Sequence, residues 1–209
     1  MSTFTDQGSK TIGAMRVNAN VTRTGVGDEV HEPPMAAGVT GTVTTGTGAT
    51  TGTITMAAGH GLVDGDIVAV FFTSAAGVPS VIYGLLVDMT GDVMSVALDA
   101  GEYNGVSPAG AVLPAASTPV VVSKKTVSTV SADKDDITAI LVGCDQPAIG
   151  IFGGAAEIYP VHIAVGASPI SWDAAAGSAC PIDDDPTALV CYNGSAVAVN
   201  FQYGFLLAT

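Results

Sequence analysis

Cys144 and His162 form the one Cys/His pair in the chain that could act as nucleophile and base. A thiol attacks as its thiolate, so an imidazole within reach would be needed to take the proton. Both residues lie in apolar strand-like runs (ILVGC and EIYPVHIAV), where a buried thiol and a hydrogen-bonded imidazole are the commoner outcome. His60, Asp64 and Asp66 surround the stretch GHGLVDGD and could be drawn as metal ligands. Asp and His also tolerate chain reversals, and glycine dominates their neighbourhood, so turn residues are expected there. Asp183-Asp184-Asp185 before Pro186, and Asp133 with Asp135 and Asp136, could hold Ca²⁺ weakly. Neither run has the DxDxDG spacing and distal Glu of a calcium loop, so solvated acidic loops are expected. Trp172 beside Asp173 could stack on a sugar, but a core anchor is the preferred reading. GxSxG, P-loop and Rossmann patterns are all missing from the sequence. The expectation is a chain that catalyses nothing and carries no catalytic, cofactor or metal site.

The elements that would position these residues read as strands. From Thr51 to Phe72 the sequence TGTITMAAGHGLVDGDIVAVFF suggests strand, tight turn, strand. Thr53, Thr55 and Ala57 alternate with Ile54, Met56 and Ala58, the period of a half-buried strand. Gly59, Gly61 and Gly65 free the backbone at the reversal, and Ile67, Val68, Val70, Phe71 and Phe72 suit a buried strand. This hairpin is taken as the centre of the fold. Upstream, VTGTVTTGTGATTGTITM places threonine at alternate positions around a glycine-rich loop, with Val39, Val43, Ile54 and Met56 as an apolar face. Downstream, Val81–Met89, the turn Thr90-Gly91-Asp92 and Val93–Leu98 make a second hairpin. Asp99–Pro114 is expected as a long loop, then Val120–Val122 and Val127–Val130 as strands parted by Lys124-Lys125.

Ser131–Cys144 offers capping residues (Ser131, Asp133, Asp135) but continues into β-branched Ile137, Thr138, Ile140 and Val142. A turn followed by a strand is expected. Pro160 inside Glu157–Val165 predicts an edge strand or a bulge. Near the end, Ala188–Tyr192, Asn193-Gly194 and Ser195–Leu207 match the strongest short hairpin signal. Along the last strand Val197, Val199, Phe201, Tyr203 and Phe205 share one face.

Together these runs predict an all-β fold: a β-sandwich or barrel-like domain with Gly/Thr-rich hairpins and an extended N-terminal segment. Residues 1–35 are set apart as an arm or first hairpin, with Val17 and Val21 on an alternating strand, and residues 36–209 as the domain. The arm either joins its own domain or adds a strand to a neighbouring subunit.

The chain has 209 residues and a formal net charge of −13, with only 12% charged residues and 48% hydrophobic ones. At this length roughly 70% of the unfolded surface can be buried without help from metal or disulfide. No Lys or Arg occurs between Arg23 and Lys124, while acids recur through that interval. Phosphate-backbone binding rests on Lys and Arg displacing counterions, so specific nucleic-acid binding is not expected. Cys144, Cys180 and Cys191 are too few for a disulfide framework; free thiols are preferred over a Cys180–Cys191 bridge. The opening MSTFTDQGSK has no apolar core of a secretory signal, and the longest apolar run, Val81–Val87, is short of a membrane span.

One family resemblance begins at the central stretch. TGTITMAAGHGLVDGDIVAVFF resembles a T-x-T, GHG, GD-x-V pattern of structural proteins of tailed bacteriophages. The Thr90-Gly91-Asp92-Val93 turn, Val112-Leu113-Pro114-Ala115-Ala116 and Trp172-Asp173 are similar to such proteins too. The resemblance implies a non-enzymatic, self-assembling virion protein of β-sandwich type, partnered by copies of itself and other virion proteins and assembled in a host cytoplasm. It implies no cofactor and no membrane. A tail tube subunit is the first expectation, because an acidic, lysine-poor lumen would not hold DNA. A capsid decoration protein is the alternative, suited to an N-terminal arm. A lectin-like or adhesin module, resting on Trp172 and the acidic loops, is a rival of another class. Val17, Val21, Asp64, Asp66 and Asp92 are the candidate assembly residues.

Overall fold

The computed structural model describes residues 11–12, 15–16, 29–31, 35–46, 51–101, 111–130, 132–144, 146–153, 158–163, 171–173, 180, 182, 185–199 and 201–207. Among them there is no α-helix; the fold is all-β. In chain order the strands are β1 (Thr11–Ile12), β2 (Met15–Arg16), β3 (Glu29–His31), β4 (Val39–Thr45), β5 (Thr51–Met56) and β6 (Ile67–Thr73). Then come β7 (Pro79–Thr90), β8 (Val93–Gly101), β9 (Pro119–Lys124), β10 (Thr126–Thr129) and β11 (Ile137–Cys144). The series ends with β12 (Ala148–Gly153), β13 (Ile158–Ile163), β14 (Ser171–Asp173), β15 (Ala188–Asn193) and β16 (Phe201–Leu207).

Two compact units share these strands. One comprises Ala36–Lys125 with Tyr192–Ala198; the other comprises Met1–Met35, Thr126–Cys191 and Val199–Thr209. The division therefore runs differently from an arm of 1–35 followed by a single domain of 36–209. The described residues of the segment 1–35 group with Thr126–Cys191 and Val199–Thr209.

In the first unit, β4-β5-β8-β7-β6-β9 close into an antiparallel barrel. Three hairpin-connected strands (β6, β7, β8) are preceded by β5, which lies beside β8, and this is Greek-key connectivity. Period-2 alternation drives the closure. Val43, Ile54, Met56, Val68, Val70, Leu85, Val87, Met94, Val96, Val120 and Val122 all point into one buried cluster. Register shifts at Val43/Thr45, Val68/Val70 and Leu85/Val87 bend three of the six strands, which lets so small a sheet curl onto itself. Leu113, 1% exposed, belongs to the same cluster from outside the strands.

The central hairpin expected from Thr51 to Phe72 does not form. β5 and β6 are not neighbours; β8 and β7 lie between them, and residues 57–66 make a crossover past both. Strand β5 instead pairs with β8, Thr53 opposite Ser95. The expected hairpin across Gly91 does form, with Thr90 opposite Val93 and Gly91 at φ +61°.

The second unit holds two four-stranded sheets, β10-β15-β12-β13 and β14-β11-β16-β3. Ala148, Leu189 and Cys191 from one sheet join Ile137, Ile140 and Phe205 from the other in a single cluster. Strand β13, which carries Pro160, is an edge strand as expected from its missing donor. A single 3-10 turn (Lys134–Asp136), capped by Asp133, precedes β11, so this stretch is turn then strand. Part of the N-terminal segment adds to its own chain: β3 pairs with β16, Val30 opposite Gly204. The short strands β1 and β2 pair with each other. The strand expected around Val17 and Val21 lies outside the described residues.

The hairpin expected at Asn193-Gly194 is also absent. β15 pairs with β10, whereas β16 pairs with β11 and β3 in the other sheet. Neither Asn193 nor Gly194 takes the positive φ that a type I′ turn demands. A different requirement selects both residues. A Cβ on Gly194 would lie 2.5 Å from the ring of Phe71, and the Asn193 side-chain amide is engaged by Ala36 O, Val197 O and the Ser195 N–H.

Candidate functional site

The crossover of residues 57–66 gathers three of the polar residues that the sequence offers for chemistry, His60, Asp64 and Asp66. Its geometry follows from backbone needs. A strand-free stretch crossing the end of a barrel leaves amides that the adjacent strands cannot fill, and short acidic side chains accept them. Asp64 Oδ1 accepts the Met89 N–H of β7, and Asp66 Oδ2 accepts the Val63 N–H at 2.8 Å. Backbone bonds run alongside: Gly65 N–H to Val87 O at 3.0 Å and Val87 N–H to Asp66 O at 3.1 Å. The Lys124 ammonium reaches Asp66 Oδ1 at 2.9 Å.

His60 is held in the same way. Its Nδ1 accepts the Leu62 N–H at 3.0 Å, which leaves the ring proton on Nε2, facing Asp92 Oδ1 at 3.6 Å. The structure thus brings His60 toward Asp92 and places Asp64 and Asp66 along the same crossover, each tied to its own backbone partner. Among the described residues no three His, Cys, Asp or Glu side chains form a group that could hold a metal ion.

The other candidates are separated. Cys144 stands opposite Phe201 in one sheet, whereas His162 stands opposite Ile149 in the other. Trp172 is on the three-residue edge strand β14, opposite Ile140. Asp133 caps the 3-10 turn by accepting the Asp135 N–H at 2.9 Å, and Asp185 accepts the Lys134 N–H at 2.9 Å. Asp183, Asp184, Val17 and Val21 lie outside the described residues. Cys180 and Cys191 are free thiols; Cys191 is fully buried, and burial pushes its pKa far up.

The barrel exterior carries a feature that depends on strand pairing rather than on local sequence. An open groove of about 460 Å³ runs over β5, β8 and β7, lined by Thr53, Leu86, Asp88 and Ser95 among others. The signal was present as alternate Thr and Ser positions, but only the barrel pairing puts Asp88 beside them.

No protein-family model, curated protein or solved structure matches the chain.

Proposed function

We propose that the protein is a non-enzymatic structural subunit of a phage-type virion, assembling with copies of itself and with other virion proteins. The observation that carries this reading is the commitment of the crossover's polar groups. His60, Asp64 and Asp66 each serve a backbone amide, which is what a scaffold asks of such residues and leaves them little to offer a substrate. The sequence resemblance supplies the virion context.

Two roles within the virion draw on different observations. The tail tube role is supported by charge. Lys124, the first cation after Arg23, is tied to Asp66 at 2.9 Å, while Asp88 and Asp92 remain exposed on the barrel. A surface of that kind repels DNA phosphate rather than holding it. The capsid decoration role is supported by topology: the barrel unit, closed within one chain, has no free edge for a neighbour's strand, which leaves, among the described residues, only the open sheets of the other unit for such pairing. Negative-stain imaging with sedimentation of the purified protein tests the proposal. Rings or tubes wide enough to pass duplex DNA support the tube; discrete oligomers or monomers that attach to emptied capsids support decoration. A monomer that joins neither itself nor any virion particle overturns both.

A further inference from the structure

We propose that the outer groove of the barrel is a binding site for a neutral saccharide. The pairing registers place Thr45 opposite Thr53, Thr53 opposite Ser95, and Ser95 opposite Asp88. Four polar side chains therefore form one row across β4, β5, β8 and β7. Adjacent strands are about 4.8 Å apart, so the row spans roughly 14 Å. All four residues are exposed or half-exposed, and all four line the same groove of about 460 Å³. That volume lies within the roughly 300–1,000 Å³ usual for small-ligand sites.

The chemistry of the row selects the ligand class. Thr45 and Thr53 hydroxyls share one hydrogen bond at 3.0 Å in which either can donate. Each keeps capacity for a second partner, and a hydroxyl that can donate or accept matches another hydroxyl. Asp88 adds a strong acceptor at the end of the row. Leu86, 45% exposed in the same groove, offers an apolar patch suited to the C–H face of a sugar ring. Among the described residues no Lys, Arg or His lines the groove, and Asp88 disfavours anions, so phosphorylated or sialylated ligands do not fit. Among the described residues no group of three His, Cys, Asp or Glu side chains forms around Asp88, so the groove is not built as a metal site. The inference does not depend on the virion reading, since the row is a property of the folded barrel.

The test is amide chemical-shift titration of the full chain with maltotriose, cellotriose, chitotriose and a β-1,4-galactotriose, and with sialyllactose as the anionic probe. At least one neutral trisaccharide is expected to shift amides confined to residues 51–53, 86–88 and 95–97. Asp88→Ala, at an exposed position, is expected to weaken that binding about tenfold or more while leaving the rest of the spectrum in place. No localised shift with any neutral probe overturns the proposal. So does localised binding that Asp88→Ala leaves unchanged, and so does a groove that shifts with sialyllactose alone.

Discussion

Asp66 and Lys124 meet at 2.9 Å where the crossover enters β6, with Lys124 on the neighbouring strand β9. The two partners are unequal. The Asp66 side chain is 14% exposed and also accepts the Val63 N–H, whereas that of Lys124 is 49% exposed. Removing the carboxylate orphans an amide as well as an ammonium; removing the ammonium leaves the carboxylate its other bond. Asp66→Ala should therefore cost about 1–3 kcal/mol. Lys124→Ala should cost less than about 1 kcal/mol, the range of a partly solvated pair. Urea denaturation of both variants checks this, and equal losses would contradict it.

Leu113 closes the barrel core over two glycines. A Cβ on Gly46 would sit 2.9 Å from Leu113 Cβ, and one on Gly52 would strike Leu113 Cδ1 and come 2.6 Å from Thr45 O. Both glycines answer a close approach, and neither has the positive φ of a turn glycine. Leu113→Ala is expected to lower stability by about 2–5 kcal/mol through the cavity it leaves. Gly52→Ala should also destabilise, because the carbonyl of Thr45 cannot swing aside as a side chain can. Thermal unfolding of the two variants provides the measurement.

How far the fold could be read from sequence depends on the range of the deciding contact. The β7–β8 hairpin was legible because Gly91 fixes it within four residues. The edge position of β13 was legible because Pro160 removes a donor wherever it stands. The pairing of β5 was not: GHGLVDGD has the composition of a tight turn, and only the competition of β8 for Thr53 and Ile54 turns it into a crossover. The same holds at Asn193-Gly194, whose composition suits a type I′ turn while its partners Ala36 and Phe71 lie far away in sequence. The roles of Asp64 and Asp66 were half legible. Their place in a chain reversal could be read, but their acceptance of Met89 and Val63 amides needed the barrel.

Cys191 gives a pH prediction. Burial raises the pKa of its thiol in the folded state, whereas in the unfolded chain it ionises near the ordinary cysteine value of about 8.5. Above that pH the unfolded state holds fewer protons than the folded one, so stability falls as pH rises. The contribution is whole below about pH 8 and declines above it, with a limiting slope of about 1.4 kcal/mol per pH unit. Denaturation between pH 7 and pH 10 should show a steeper loss for the parent than for Cys191→Ala, whatever the substitution costs at neutral pH. Parallel curves would count against it.

Ser117 has φ +69°, alone among the described non-glycine residues in the left-handed region. Its amide donates to Val43 O at 2.7 Å, which holds the turn before β9 against strand β4. A branched Cβ suffers most in this conformation, so Ser117→Val should cost about 1–2 kcal/mol. Ser117→Gly should be tolerated or mildly stabilising. If valine proves as stable as serine, the turn is not strained in this way.

Asn193 and Gly194 supply the sharpest separation between packing and turn chemistry. Asn193 is 1% exposed; its Nδ2 donates to Ala36 O at 2.8 Å and Val197 O at 2.7 Å, and its Oδ1 accepts the Ser195 N–H at 2.8 Å. Asn193→Ala removes a partner from each of three part-buried backbone groups and should cost about 1–3 kcal/mol. Asn193→Asp should be worse at neutral pH, since a carboxylate faces two carbonyl oxygens and can donate to neither. For Gly194 the obstacle is the Phe71 ring, 2.5 Å from the position of a Cβ. Gly194→Ala is therefore expected to destabilise the parent by about 1–3 kcal/mol, the range of overpacking. In a Phe71→Ala background the same change should cost much less, because the obstructing ring is gone. A double-mutant cycle reads the difference directly. If Gly194→Ala costs the same with and without the ring, backbone conformation governs this position, and the turn chemistry that the Asn-Gly sequence suggests would be restored.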